Sequence, residues 1–224
     1  MLKTASILSD CPERIWDEYD SKRLLKTYDI PVVEEKIVES AAAALRAARK
    51  MEFPVVLKGL AKGQVHKTES GLVCLGITST AALKTAYANL TRRMKGKGRI
   101  LLQRQMPIEY ELIVGILQDS QFGACVMFGL GGIFSELQKD VVFAPAPLSA
   151  STAKELIRRI SGKKLLQGFR GRKPLDMKLM ASILVNLGNL AASCPDIEQI
   201  DVNPLVVHQG KPVAVDATIV RRLA

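Results

Sequence analysis

The stretch Gln199-Ile200-Asp201-Val202-Asn203-Pro204, followed by His208-Gln209-Gly210-Lys211 and then Val213-Ala214-Val215-Asp216-Ala217, governs the reading of this chain. Side chains alternate between the two faces of a strand, so Gln199, Asp201 and Asn203 share one face while Ile200 and Val202 point to a core. A turn at Gln209-Gly210 sends the chain back beside itself. If the hairpin is centred there, facing residues have numbers that sum to 419, which sets Asn203 across from Asp216 and Asp201 across from Thr218. Facing side chains have Cβ atoms about 5 Å apart, close enough for two oxygens to bind one cation. Mg²⁺, with oxygen ligands at about 2.1 Å and its shell completed by water and phosphate, suits such a pair. The alternative is the polar outer face of a half-solvated hairpin, and a loop of odd length would break the pairing.

Outward from the hairpin, helical and extended periods alternate. Helices are expected at 17–28 and at 41–51 behind a Ser40 cap, from about Thr80, from the Thr152-x-x-Glu155 capping box through Ile160, and from Asp176 to about Ser193. Strands are expected at 55–58, 72–77, 100–106, 110–117, 124–129, 197–207 and 213–219. This order predicts an α+β or α/β protein, with a division near Gln103 to Ile108 where two strands meet.

Two further clusters carry chemical potential. Lys58 ends a buried strand and opens the loop from Gly59 to Gly71, which holds Gly63, His66, Lys67, Thr68 and Ser70. A lysine there can hold a phosphate while small residues let backbone N–H groups approach it, although no Walker A spacing is present. An exposed connection with a solvated Lys58 is the plainer alternative. Phe128-Gly129-Leu130-Gly131-Gly132, leading to Glu136 and Asp140, frees the backbone for close contact with an anion or with another strand.

The 224 residues, 48% apolar and 24% charged, describe a globular chain and exclude a disordered or collagen-like one. No stretch has the purity of a membrane span, and Asp10, Glu13 and Arg14 interrupt any signal-peptide pattern. Cys11, Cys74, Cys125 and Cys194 lie far apart, so reduced thiols and a cytoplasmic setting are expected. The net charge of +10 is spread over both halves, which carry 19 basic against 13 acidic and 13 against 9 side chains. Basic runs at Arg92–Arg104 and Arg158–Lys173 hold almost no aromatics, unlike a surface built to stack single-stranded nucleic acid. Phosphorylated small molecules account for the charge equally well.

Taken in order, Leu57-Lys58, the His66-Lys67 loop, Glu111-Leu112-Ile113-Val114-Gly115, Gln121-Phe122-Gly123, Phe128 to Gly132, Lys139-Asp140-Val141, Gly168-Phe169-Arg170-Gly171 and Ile200 to Leu205 resemble the ADP-forming acetyl-CoA synthetases. The likeness is to their ATP-grasp part, the nucleotide-binding β subunit, with a more distant similarity to the β subunit of succinyl-CoA synthetase. It implies two α+β subdomains clasping a nucleotide, 1–105 with the phosphate loop and 106–224 with the metal-binding hairpin.

It also implies roles for single residues. Lys58 would hold ATP phosphates, with Val65, His66 and Lys67 in the loop over them. Gln103, Arg104, Gln105 and Met106 would read adenine through backbone groups, and Glu111 would accept the ribose hydroxyls. Asn203 and Asp216 match the Mg²⁺ ligands, Asp201 is a nearby carboxylate, and His66 would accept the phosphoryl group. The implied reaction interconverts acyl-CoA, ADP and phosphate with carboxylic acid, ATP and CoA through acyl phosphate and phosphohistidine. It requires a CoA-binding α subunit with its own histidine, hence a hetero-oligomer. Two departures are visible: Gln199 where relatives often have Glu, and no arginine near Ala144. A non-catalytic ATP-binding regulatory subunit and a basic nucleic-acid-binding protein are the alternative readings.

Overall fold

The computed structural model describes residues 2–60, 71–132, 140–168 and 171–222. The chain forms two compact units, one of Val33–Met106 and one in which Met1–Val32 joins Pro107–Ala224. The expected division after residue 105 therefore falls close to one boundary, but the opening 32 residues belong with the C-terminal unit, which corrects the 1–105 and 106–224 partition.

Backbone pairing is the reason. Beyond α1 (Leu2–Asp10), Ile15 bridges Val220, the Trp16 N–H donates to Ile219 O at 2.9 Å and the Arg221 N–H to Arg14 O at 2.7 Å. Arg221 also bonds the Asp196 carboxylate and the carbonyls of Leu8 and Cys11, and its guanidinium lies 5.6 Å from the centre of the Trp16 ring. Helix α2 (Glu18–Thr27) then packs on the last strand, and the Ala214 N–H donates to Pro31 O before the chain leaves the unit.

The unit of Val33–Met106 contains β1 (Glu35–Ile37), α3 (Ala41–Met51), β2 (Val55–Leu60), β3 (Val73–Ile77), α4 (Thr80–Met94) and β4 (Arg99–Arg104). Its antiparallel sheet has the order β1-β4-β2-β3. Ser40 and Ser79 start the two helices by accepting the backbone N–H groups of Ala43 and Ala82, as small hydroxyl caps do. Val55, Leu57, Ile100 and Leu102 turn toward the helices and join Leu83, Leu90 and Met94 in one core. Gly59 lies on this side too, where a Cβ would stand 2.8 Å from Met94 Sδ.

The larger unit adds β5 (Tyr110–Asp119), β6 (Gly123–Leu130), β7 (Val141–Pro145), α5 (Ala150–Arg159), α6 (Lys163–Leu166), α7 (Met177–Ser193), β8 (Ile197–His208), β9 (Lys211–Ala214) and β10 (Thr218–Arg221). Its sheet runs β10-β8-β5-β6-β7, with β9 also paired to β8. Leu112, Val114 and Ile116 of β5, Val126 and Phe128 of β6, and Ile200 and Val202 of β8 form a core with α5 and α7. Helix α7 starts at Asp176 as read from sequence, but α5 is capped by Ser149 rather than Thr152. The expected strand 213–219 is two strands, β9 and β10, separated at 215–217.

The opposite sheet face carries Glu111, Gly115, Asp201 and Asn203, and Gly115 pairs with Asp201. Gly115 is required there because a Cβ would collide with the carbonyl oxygen of Ile200 in the neighbouring strand. Gly115→Ala should force β5 from β8 and destabilise the fold by about 2 kcal/mol, the usual scale for overpacking. Urea unfolding checks this through a lowered midpoint at unchanged slope.

Candidate nucleotide and metal site

The hairpin turn has the even length that its chemistry needs. Gln209 and Gly210 both have positive φ, 50° and 77°, which is the two-residue turn whose twist matches paired strands. Its tip is held from outside: the Gln209 N–H donates to the Glu109 carboxylate at 2.9 Å, and the Asp176 N–H donates to Gly210 O at 2.8 Å. His208 lies beside the same carboxylate, 3.5 Å from Glu109 Oε1, at the tip and away from the acids.

The pairs Leu205–Ala214 through His208–Lys211 sum to 419, and so do Asp201–Thr218, Ile200–Ile219 and Val220–Gln199. Asn203 thus falls opposite Asp216 by count, in the short gap where no ladder pair forms. The gap has a purpose visible in the core. Ile200 and Val202 face inward, but so do Leu205 and Val207, so the alternation slips by one residue at Asn203-Pro204. The returning chain slips with it, since Ala214 is inward and so are Ala217 and Ile219. Both strands spend an extra residue at one level, and this bulge-like interruption turns Asn203 and Asp216 out of the core. Strict alternation would have put Leu205 and Val207 in solvent. On the other flank, Leu112 pairs with Leu205 and Val114 with Val202, leaving Ile113 alone across from Asn203-Pro204.

Asn203 is exposed, while Asp201 and Asp216 are half-buried. Burial, and next the charge of Asp216, push the Asp201 carboxyl above the usual aspartate range. Two acids that sense each other beside an exposed amide oxygen form a donor set suited to a hard divalent cation, which would relieve their repulsion. Glu111 lies on the same face of the sheet as Asp201. The carboxylate of Glu111 borders Gly132, where a Cβ would stand 3.1 Å from Oε2, and its carbonyl accepts the Gly131 N–H at 2.8 Å. The glycines after Phe128 therefore serve close approach: Gly131 and Gly132 to Glu111, and Gly129 to Asp140 O. Asp140 itself accepts the N–H groups of Ser161 and Gly162 at 2.8 Å each, while Glu136 lies outside the described residues.

In the other unit, Lys58 and Gln103 share the sheet face away from α3 and α4. Their pairs, Lys58–Leu101 and Val56–Gln103, make them diagonal neighbours, and β1 sets Glu35 directly beside Gln103. Lys58 and Gln103 are only 7% and 2% exposed, so Lys58 is not a solvated loop residue. Sequence reading missed Glu35, whose one signal is its position in a three-residue strand. Arg104 is exposed and pairs with Glu52 at 3.3 Å on the helix side of the sheet. The Arg104 and Gln105 amides already donate to Glu34 O and Pro54 O, and Gln105 Oε1 accepts the Gly76 N–H at 2.7 Å. Backbone reading of adenine here would fall to carbonyls and to the half-buried Met106. Val65, His66 and Lys67 lie outside the described residues.

A family model described as an ATP-grasp domain matches residues 8–220. The chain is 35% identical over 209 residues to the β subunit of acetate–CoA ligase [ADP-forming] I from Pyrococcus furiosus, covering 91% of this chain and 90% of that subunit. This is an ATP-grasp chain of the ADP-forming acetate–CoA ligase β-subunit family. The β-type chain also matches 30% of the length of the Archaeoglobus fulgidus acetate–CoA ligase [ADP-forming] II, with 36% identity over 203 residues. A solved structure of the dinucleotide-forming acetyl-coenzyme A synthetase 1 of Candidatus Korarchaeum cryptofilum superposes with a TM-score of 0.85 at 34% identity over 98% of both chains. That structure is described as holding coenzyme A and Mg-AMPPCP, with its phosphohistidine segment pointing towards the nucleotide binding site. Ala144 itself points into the core.

The raised Asp201 carboxyl has a consequence for stability. Its folded state favours the proton, so its contribution to stability is full at low pH and is lost as pH rises through the folded value. Asp201→Asn should therefore stabilise the metal-free chain at neutral pH and give no gain below about pH 3.9, where aspartate is protonated in either state. Urea midpoints in EDTA at the two pH values test this, and an equal shift at both would contradict it.

Proposed function

We propose that this chain is the nucleotide-binding subunit of an ADP-forming acid–CoA ligase, acting in the cytoplasm with a CoA-binding subunit that carries a second phosphorylatable histidine. The observation that carries the reading is the gap between the β8–β9 and β8–β10 ladders, where Asn203 falls opposite Asp216 by count and near Asp201, in a chain 35% identical to an acetate–CoA ligase β subunit over nine-tenths of its length. The match to only 30% of the longer Archaeoglobus fulgidus ligase supports a partner subunit, since the remaining modules of that enzyme have no counterpart in this alignment.

Asn203 and Asp216 would hold Mg²⁺, whose charge neutralises the transferring phosphoryl group when bound. Asp201 stands two residues from Asn203 along β8, on the same face, and would order a water or the metal shell. Lys58, buried within β2, which runs on to Leu60 past the expected end at residue 58, would meet phosphate oxygens as a point charge, and Glu111 would accept ribose hydroxyls. Gln103 to Met106 would border the adenine. We assign the phosphoryl acceptor to His66: a neutral ring nitrogen bonds the γ-phosphorus of ATP as the bond from that phosphorus to the ADP oxygen breaks, and ADP departs with the electron pair. The reverse transfer makes ATP. The phosphoryl group on His66 then passes to the partner module, where acyl phosphate and acyl-CoA are formed. The unassigned feature is the acid, which that partner would select.

Incubation with γ-labelled ATP and Mg²⁺ should label the native chain. Label should be absent from His66→Ala and should form about 100-fold more slowly in Asp216→Ala, as expected when one metal ligand of a phosphoryl-transfer site is lost. Label that persists in His66→Ala would overturn the acceptor assignment. A native chain that never labels, even with its partner subunit present, would favour a regulatory ATP-binding role.

A further inference from the structure

Helix α2 contains a fully buried ion pair. Lys22 Nζ lies 2.7 Å from Glu18 Oε1, and both side chains are 0% exposed. Burial of two charges is a poor way to stabilise a fold, because an apolar pair of the same shape does as well or better. The pair is therefore to be understood by what it holds. Lys22 Nζ also donates to Val215 O at 3.1 Å, and one residue earlier on α2 the Ser21 hydroxyl oxygen accepts the buried Ile219 N–H at 3.1 Å. These two contacts bracket the segment 215–217, which lies between the β9 and β10 ladders and contains Asp216.

We propose that Glu18, Lys22 and Ser21 form the positioning device of the metal site: α2 holds the chain at the carbonyl just before Asp216 and at the Ile219 N–H three residues after it, so that the Asp216 carboxylate is presented toward Asn203. The inference rests on the assignment of Asp216 as a metal ligand. Lys22 orients the carbonyl immediately before Asp216, and Glu18 one helical turn away neutralises and aims the ammonium group. Ser21 anchors the far end of the segment. An apolar side chain at position 22 could fill the space but could not grip a carbonyl. Across the gap in the ladder the Val215 N–H still donates to Pro204 O of β8 at 3.2 Å, and α2 adds its grips on Val215 O and on the Ile219 N–H.

The test uses Mn²⁺ as a spectroscopic stand-in, with its binding in the presence of a non-hydrolysable ATP analogue followed by electron paramagnetic resonance. The double variant Glu18→Gln/Lys22→Met removes both charges together, so no unpaired buried ion remains. Its Mn²⁺ affinity should fall about tenfold, the scale for losing a group that orients a metal ligand, while its affinity for the metal-free analogue stays at the native value. Ser21→Ala should weaken Mn²⁺ about threefold by the same route, and it decides the matter if the double variant does not fold. Asp216→Asn is the reference. If Asp216→Asn loses Mn²⁺ binding and both α2 variants keep native affinity, the positioning role is overturned while the metal assignment stands. If Asp216→Asn itself binds Mn²⁺ as the native chain does, the metal assignment fails and this inference fails with it.

Discussion

The parity of one turn controls the chemistry of the larger unit. A strand has a side-chain period of two, so a hairpin loop with one more residue than Gln209-Gly210 would carry the core-facing Ala214 and Ile219 to the opposite face of the sheet. Glu109 and Asp176 hold the turn from two sides, through the amide of Gln209 and the carbonyl of Gly210, and so protect the count that sets Asp201 against Thr218. The slip at Asn203-Pro204 is tolerable only because the returning strand slips at the same level. Ala214 and Ala217 are both inward, with the stretch between them turned away, and the sum of facing residues is the same on each side. A slip in one strand alone would have misaligned Ile200 and Ile219.

The acids on this face are sustained by the apolar work of the opposite one. Leu112, Val114, Ile116, Ile200, Val202 and Ile219 lose all or nearly all of their solvent exposure. Each contributes about 1.5–3 kcal/mol, so the core can carry a carboxylate held where its charge is disfavoured. Asp201 is that carboxylate, pushed above the usual aspartate range by burial and next by the charge of Asp216. The same economy explains Gly115. Any side chain at that position would push apart the two strands whose close approach builds the face.

Much of this was legible from local pattern. Ser40 and Asp176 announced helices by their capping chemistry, and alternation through Ile200 and Val202 gave the acid-bearing face and the Asp201–Thr218 register. What escaped had non-local causes. Ser149, three residues before Thr152, took the cap because either residue offers a hydroxyl and only the chain direction after Pro147 decides between them. The Glu18–Lys22 pair reads in sequence as an ordinary i,i+4 pair on an exposed helix, and nothing within α2 says that β10 will cover it. The attachment of residues 1–32 to the C-terminal unit is likewise written in backbone bonds to Ile219 and Arg221, which carry no composition signature. The Arg104 and Gln105 amides look open in the sequence, and only the fold shows Glu34 and Pro54 already using them.

The topology joins these observations. Because residues 1–32 pack with 107–224, the unit of Val33–Met106 is inserted into a chain whose first and last segments must meet. Its own sheet closes mainly through pairings between β2, β3 and β4, separated by tens of residues, whereas Lys22 meets Val215 across 193 positions and Arg221 meets Leu8 across 213. Loop closure costs more as separation grows, though only logarithmically, and contacts over such distances form late unless a compact intervening unit shortens the path. An inserted unit that folds on its own contacts does shorten it. Both crossings also leave the larger unit beside the same hairpin, since Ala214 bonds Pro31 and Val207 bonds Glu109. The β8–β9 hairpin of the larger unit is therefore also where the chain leaves for the insertion and returns from it.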